Sequence, residues 1–127
     1  MEEDEGHEEI TGTIELSGQI LCLKWAPGAV VRESDAKALM QRAATLSAGR
    51  TLPLLVEMTG MTWIDRRAQE AFASPWPVAR AAIVGASPVD EAIVGFYIAR
   101  HHPHHPTRFF TSRDEAMAWL SEDLALP

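Results

Sequence analysis

An aspartate at the start of a short predicted helix is the first place where this sequence could do chemistry. The segment Val56–Ala68 holds the end of an apolar strand, a turn at Thr59 and Gly60, an apolar pair and then Asp65. Free backbone amides and the positive end of the helix dipole gather at such a point, which suits an anion or a partner's polar group. The alternative is that the Asp65 carboxylate caps its own helix.

We therefore predict a site for a protein partner or an anion over this turn. Its candidate residues belong to the turn and the helix start: Thr59, Gly60, Thr62, Trp63, Asp65, Arg66 and Arg67. The two arginines either supply fixed positive charge to an acidic partner or an anion, or form a solvated helix face.

A histidine-rich loop is the second group of possible ligands. It runs from His101 to Pro106 and also contains His102, His104 and His105. Helical metal-binding histidine pairs lie four residues apart, and a site usually recruits a cysteine or a carboxylate held by the fold. The prolines extend this loop, so we predict a polar, exposed loop and no metal site, with zinc binding as the alternative.

Other reactive residues have structural explanations. Cys22 lies in an apolar run and is expected to be a buried small hydrophobe. Ser87 follows a strand that ends in glycine, but without a glycine-rich phosphate motif it is expected to cap a helix. Trp63 and Trp76 fall on predicted turns and fit an interface, a ligand cleft or local packing. No nucleophile with a base is evident, so we expect no enzyme activity and no cofactor.

Charge and length exclude several classes of function. The chain has 127 residues and a formal net charge of −7, much of it in the first nine residues. We predict an acidic flexible tail over residues 1–9 and a single α/β domain over residues 10–127. An acidic chain is a poor binder of nucleic acid or membrane surfaces. The absence of a signal peptide and of a long apolar run predicts a cytoplasmic protein.

The pattern of apolar residues predicts alternating strands and helices. An opening hairpin is expected over residues 10–16 and 19–25, followed by a helix capped by Ser34 and ended by Gly49. Later strands are predicted over residues 52–58, 80–85 and 107–110, with helices over 65–73, from Ser87 and from Ser112. The order ββαβαβαβα implies a mostly parallel sheet with an antiparallel N-terminal edge.

The turn segment resembles the motif of STAS domains of the anti-sigma-factor-antagonist type, which reads roughly L-D-L-S-G-V-x-F-I-D-S-S-G-L. Glu57 stands at the acidic position, Thr59 and Gly60 at the Ser-Gly, and Ile64 and Asp65 at the Ile-Asp. The order of elements is similar over most of the chain. The C-terminal part, from Thr107 through Leu120, also resembles bacterial STAS/SEC14-like proteins of unknown function.

The departure from that motif bears on function. In signalling STAS domains the second serine after the aspartate is phosphorylated, but here the Ser-Ser-Gly positions are Arg66, Arg67 and Ala68. The resemblance therefore implies a non-catalytic protein-interaction or regulatory module that lacks the phosphorylatable serine. The alternative it implies is a SEC14-like carrier that binds a small apolar or anionic ligand, in a pocket lined by the tryptophans. A homodimer through the exposed hairpin edge is also predicted.

Overall fold

The computed structural model describes residues 11–124, so the acidic tail predicted over residues 1–9 lies outside the described residues. The strands are β1 (Gly12–Ser17), β2 (Ile20–Trp25), β3 (Ala29–Val31), β4 (Leu52–Glu57), β5 (Met61–Ile64), β6 (Val78–Val84) and β7 (Thr107–Phe110). The helices are α1 (Glu33–Ser47), α2 (Arg66–Ala73), α3 (Pro88–His101) and α4 (Arg113–Leu124).

The main sheet has five strands in the order β1-β2-β4-β6-β7. β1 pairs with β2 in antiparallel register, and the other three pairings are parallel. The predicted α/β fold with a mostly parallel sheet and an N-terminal hairpin is therefore confirmed. Helices that connect neighbouring parallel strands place the loops after those strands at one edge of the sheet.

Two short strands were not predicted. β3 and β5 form a separate two-stranded parallel sheet beside the main one. Each has only three or four residues and follows a glycine with positive φ, Gly28 or Gly60. Their hydrogen bonds come from a distant part of the chain, so no local alternation of apolar residues reveals them.

The start of α1 differs from the sequence prediction. Ser34 does not cap this helix, because Arg32 is the N-cap residue and the Asp35 carboxylate accepts a hydrogen bond from the Arg32 backbone N–H at 2.9 Å. At the other end Ala48 takes the left-handed conformation and Gly49 follows with a φ of +84°. The helix therefore ends where the sequence predicted, but its C-cap residue is Ala48, and Gly49 follows it.

The core has a layer on each face of the sheet, and β4 supplies both. Leu54 packs with residues of α1 and α2, whereas its neighbour Leu55 packs with Ala116 and Leu120 of α4. Alternate residues of a strand point to opposite faces, which explains why an almost continuous apolar strand is needed here. Among residues 11–124 no helix is long and apolar enough to span a membrane.

Candidate functional site

Gly60 fixes the shape of the predicted binding turn. Its φ is +96°, and a Cβ atom there would lie 3.0 Å from the Trp25 carbonyl oxygen. The Gly60 carbonyl accepts hydrogen bonds from the backbone N–H groups of Gly28 and Ala29, at 2.8 and 3.1 Å. Gly60 therefore joins two turns of the fold and fixes the backbone of the predicted binding turn.

Asp65 holds the start of α2. Its carboxylate accepts a hydrogen bond from the Ala68 N–H at 2.8 Å, while its own N–H donates to the Val31 carbonyl at 3.0 Å. This geometry agrees with the alternative interpretation that the Asp65 carboxylate caps its own helix. A carboxylate already placed at the helix N-terminus opposes a second anion there, so the structure disfavours an anion at this point.

The remaining predicted site residues face solvent. Trp63 is 61% exposed, and Thr59 and Thr62 are also exposed. The Arg66 and Arg67 side chains are 69% and 77% exposed, and they pair with Glu70 at 3.5 Å and Glu33 at 3.9 Å respectively. Exposed ion pairs of this kind contribute at most about 1 kcal/mol, so a partner could displace them.

Behind this turn lies an apolar cavity, whose position and size the sequence did not predict. It measures about 100 Å³ and lies between α2, α3, β5 and the main sheet. Its wall is almost wholly apolar and aromatic, with contributions from Trp25, Leu54, Met61, Ile64, Phe72, Trp76, Ile83, Ile93, Val94 and Tyr97. The one sequence signal was Trp76, for which a ligand cleft was among the interpretations.

β5 connects the turn and the cavity. Met61 and Ile64, at its two ends, line the cavity, whereas the two residues between them, Thr62 and Trp63, are exposed. The same four-residue strand thus forms part of the cavity wall and presents the predicted docking surface.

Helix α3 leaves much of its apolar surface uncovered. Val94 is its one buried residue, while Val89, Ile93 and Phe96 are 67%, 42% and 75% exposed. Ile93 and Tyr97 also line the cavity. The apolar side chains of this helix outside the core are therefore divided between the cavity wall and the open surface.

The histidine loop is not uniformly exposed, so the prediction of a polar, exposed loop is wrong for His105. That residue is 6% exposed and lines the cavity, and its Nδ1 is buried without a hydrogen-bond partner among the described residues. Burial, with a smaller contribution from His104, lowers the pKa of His105 to about 4. His105 is therefore neutral at pH 7.

The other histidines have separate surroundings. His102 ends α3 in the left-handed conformation, and His101 Nε2 lies 3.1 Å from the Gln69 side-chain oxygen of α2. Across residues 11–124 no group of three or more His, Cys, Asp or Glu side chains is arranged to hold a metal ion.

Three further residues interact mainly with other parts of the fold. Cys22 is half-buried, and burial raises the pKa of its thiol, which keeps it protonated. The Ser87 hydroxyl accepts a hydrogen bond from the Asp90 N–H at 3.2 Å, so this serine caps α3 as predicted. Glu57, at the acidic position of the STAS motif, pairs with Arg113 at 3.3 Å.

Comparisons with known proteins agree with this architecture. Residues 14–123 match the family described as Domain of unknown function (DUF7793). The chain belongs to this family. No curated protein matches the DUF7793 chain.

Two solved structures resemble the DUF7793 chain. One is an uncharacterised protein of the DUF3478 family from Shewanella loihica PV-4, described as having a SpoIIAA-like fold. It has 19% identity and a TM-score of 0.59, over 86% of this chain and 91% of that one. The second is a protein of unknown function from Arthrobacter sp. FB24, with 32% identity and a TM-score of 0.34, over 86% of this chain and 98% of that one. The Shewanella structure confirms the STAS-like fold.

Proposed function

We propose that the DUF7793 chain is a non-catalytic, cytoplasmic protein-interaction module of STAS-like fold that docks a partner without phosphorylation of its turn. The observation that carries this proposal is the exposed group of Trp63, Arg66 and Arg67 on a turn held by Gly60 and Asp65. An exposed tryptophan beside arginines is the composition of a binding hot spot. The two guanidinium groups favour a partner with an acidic surface.

The rigidity of the turn supports the same proposal. Gly60 and Asp65 anchor its two ends to β3 and the turn that precedes it through backbone hydrogen bonds. A docking surface that is held in place before binding loses less conformational entropy when a partner arrives.

Site-specific photocrosslinking in cells tests this docking surface. A photoreactive amino acid at exposed Thr62 should crosslink a defined protein, whereas the same probe at Ala118, exposed on α4, should not. The Thr62 crosslink should fall at least about fivefold in a Trp63→Ala background, since tryptophan anchors commonly carry much of the binding free energy. Equal crosslinking from both positions, or a crosslink unaffected by Trp63→Ala, would contradict the proposal.

Phosphosite mapping of the protein from its native cells tests the second half of the proposal. We expect no phosphate between residues 59 and 67, since Arg66 and Arg67 replace the serines of the motif. Phosphate on Thr59 or Thr62, together with loss of the crosslink, would show that a displaced switch exists.

The cavity favours a second candidate function, the carriage of a small ligand. Its apolar wall and its volume of about 100 Å³ are suited to a small, mostly apolar molecule. Native mass spectrometry of protein purified from its own cells should then find bound mass that is lost on denaturation. Protein that carries no extra mass and binds no apolar probe would contradict this second function.

The homodimer stays a prediction. The structure places β1 at one edge of the main sheet, where a second copy could pair with it. Sedimentation at several protein concentrations measures this directly.

A further inference from the structure

Inside the apolar cavity, His105 is the group that the fold leaves unsatisfied. It is 6% exposed, its ring lies edge-on to Trp76 at 6.1 Å, and its Nδ1 has no hydrogen-bond partner among the described residues. A buried polar atom without a partner lowers stability, and in native proteins such an atom calls for an explanation, for example a functional role or a bound water or ion.

The rest of the wall determines the charge of a ligand. The described lining residues include no Asp, Glu, Lys or Arg. Burial lowers the pKa of His105 to about 4 and raises the pKa of the Tyr97 phenol, so both are neutral at pH 7. A charged group in this cavity would be buried without a counter-ion, which is strongly unfavourable.

The volume limits the size of the ligand. An apolar cavity of about 150 Å³ in a protein interior can hold benzene. The cavity here is smaller, about 100 Å³, but it opens to solvent on one side, so it suits a molecule no larger than a single ring or a short branched chain, part of which stays at the opening.

We propose that the cavity binds a compact, neutral, mostly apolar molecule with one hydroxyl group, and that this hydroxyl pairs with the imidazole of His105, which lines the cavity. A hydroxyl both donates and accepts, so it can satisfy either tautomer of the neutral imidazole. The aromatic rings of Trp25, Phe72 and Trp76 in the wall favour a planar ligand of the phenol type. This inference rests on the second candidate function and names its ligand class.

Phenol and toluene are the probes that separate the hydroxyl assignment from the carrier function, since the two molecules have nearly the same shape and differ in the hydroxyl. Binding is measured by calorimetry, in native protein and in His105→Phe, which keeps a flat ring. The ratio of the toluene Kd to the phenol Kd should fall about tenfold in His105→Phe, with toluene binding retained. Retained toluene binding also shows that the variant is folded.

A matched pair of variants locates the probes. Ile83 lines the cavity, whereas its neighbour Val84 packs against the α4 side of the sheet. Ile83→Phe should weaken both probes at least tenfold, and Val84→Phe should leave both within twofold in protein whose circular dichroism spectrum is native.

The possible failures are distinguishable. A Kd ratio that is the same in native protein and His105→Phe would overturn the hydroxyl assignment and leave an apolar cavity able to carry ligands. Failure of both probes to bind native protein at millimolar concentration would overturn the hydroxyl assignment and the carrier function together. Binding that Ile83→Phe does not weaken would place the probes elsewhere and overturn the inference.

Discussion

Helices α3 and α4 follow neighbouring parallel strands, yet they contribute very differently to the core. In α4, Ala116 and Leu120 are completely buried, and Trp119 packs against Phe110 and under the Arg80 guanidinium, 4.5 Å from the ring. In α3 one residue, Val94, is buried, although the helix is rich in apolar side chains. Apolar content therefore does not measure what a helix adds to the core.

The difference indicates separate tasks for the two helices. Helix α4 completes a packed layer on one face of the sheet. On the other face α1 and α2 pack with the main sheet in the larger core cluster, whereas the apolar side chains of α3 divide between the core, the cavity wall and open surface, which is the arrangement expected of a binding element. The docking turn and His105 also lie on the cavity side.

Truncations on the two helices give the largest expected contrast. Leu120→Ala should lower the free energy of unfolding by about 2–5 kcal/mol, because it leaves a cavity in a packed layer. Phe96→Ala should change it by no more than about 0.5 kcal/mol, since the ring is 75% exposed. Urea denaturation followed by circular dichroism measures both.

If Phe96→Ala proved as costly as Leu120→Ala, the α3 surface would be covered in solution and the comparison would fail. A dependence of that cost on protein concentration would identify a second copy as the cover.

Acid should lower the free energy of unfolding through the protonation of His105. Its pKa is about 4 in the folded protein and about 6.5 in the unfolded chain, so the unfolded chain binds more protons between these values. The stability that neutral His105 provides is present above pH 6.5 and is lost as the pH falls toward 4. The loss should reach up to about 3 kcal/mol, since one pKa unit corresponds to about 1.4 kcal/mol.

Urea denaturation between pH 7 and pH 4.5 measures this loss, and His105→Phe isolates it from the titration of carboxylates. The pH dependence should become shallower in His105→Phe. His102→Asn, at an exposed position where asparagine suits the left-handed conformation, is the control for the removal of a histidine from this loop. Parallel curves for native protein and His105→Phe would show that His105 is charged or accessible in the fold.

The helix caps provide a smaller test of the same difference. Ser87 caps α3 and Ser112 caps α4, each hydroxyl accepting a backbone N–H at 3.2 Å. Ser112→Ala should lower the global free energy of unfolding by about 1 kcal/mol. Ser87→Ala should instead speed amide hydrogen exchange within α3 about fivefold, because a loosely packed helix opens locally. Equal global effects would show that α3 unfolds with the rest of the domain.

The sequence predicted the fold of this molecule better than its candidate functional site. The hairpin, the parallel strands and the Ser87 cap follow from local patterns, because strand alternation and capping need only neighbouring residues. β3 and β5 were missed, since their pairing is with each other and not with local sequence. The Asp65 prediction gave the position but left its function open.

The position and size of the cavity could not be predicted, because they depend on how far α3 lies from α2. His105 illustrates the reason: histidine and two flanking prolines in a loop are typical of exposed surface, and only the tertiary fold buries the ring against Trp76. The signal that was present in the sequence, Trp76 on a predicted turn, fitted an interface, a ligand cleft or local packing and did not distinguish among them.

The smallest predicted effect is a gain in stability on α3. Gly95 lies between Val94 and Phe96 in the helix interior, and a Cβ atom there would meet no other atom within 4 Å. Gly95→Ala should therefore raise the free energy of unfolding by about 0.5–1 kcal/mol, the helix preference of alanine over glycine. At Gly85 a Cβ would lie 2.7 Å from the Phe109 ring, so Gly85→Ala is the matched control and should be destabilising. A loss of stability in Gly95→Ala would mean that this surface of α3 is in contact with another molecule, and the contrast between the two helices would then describe the isolated chain alone.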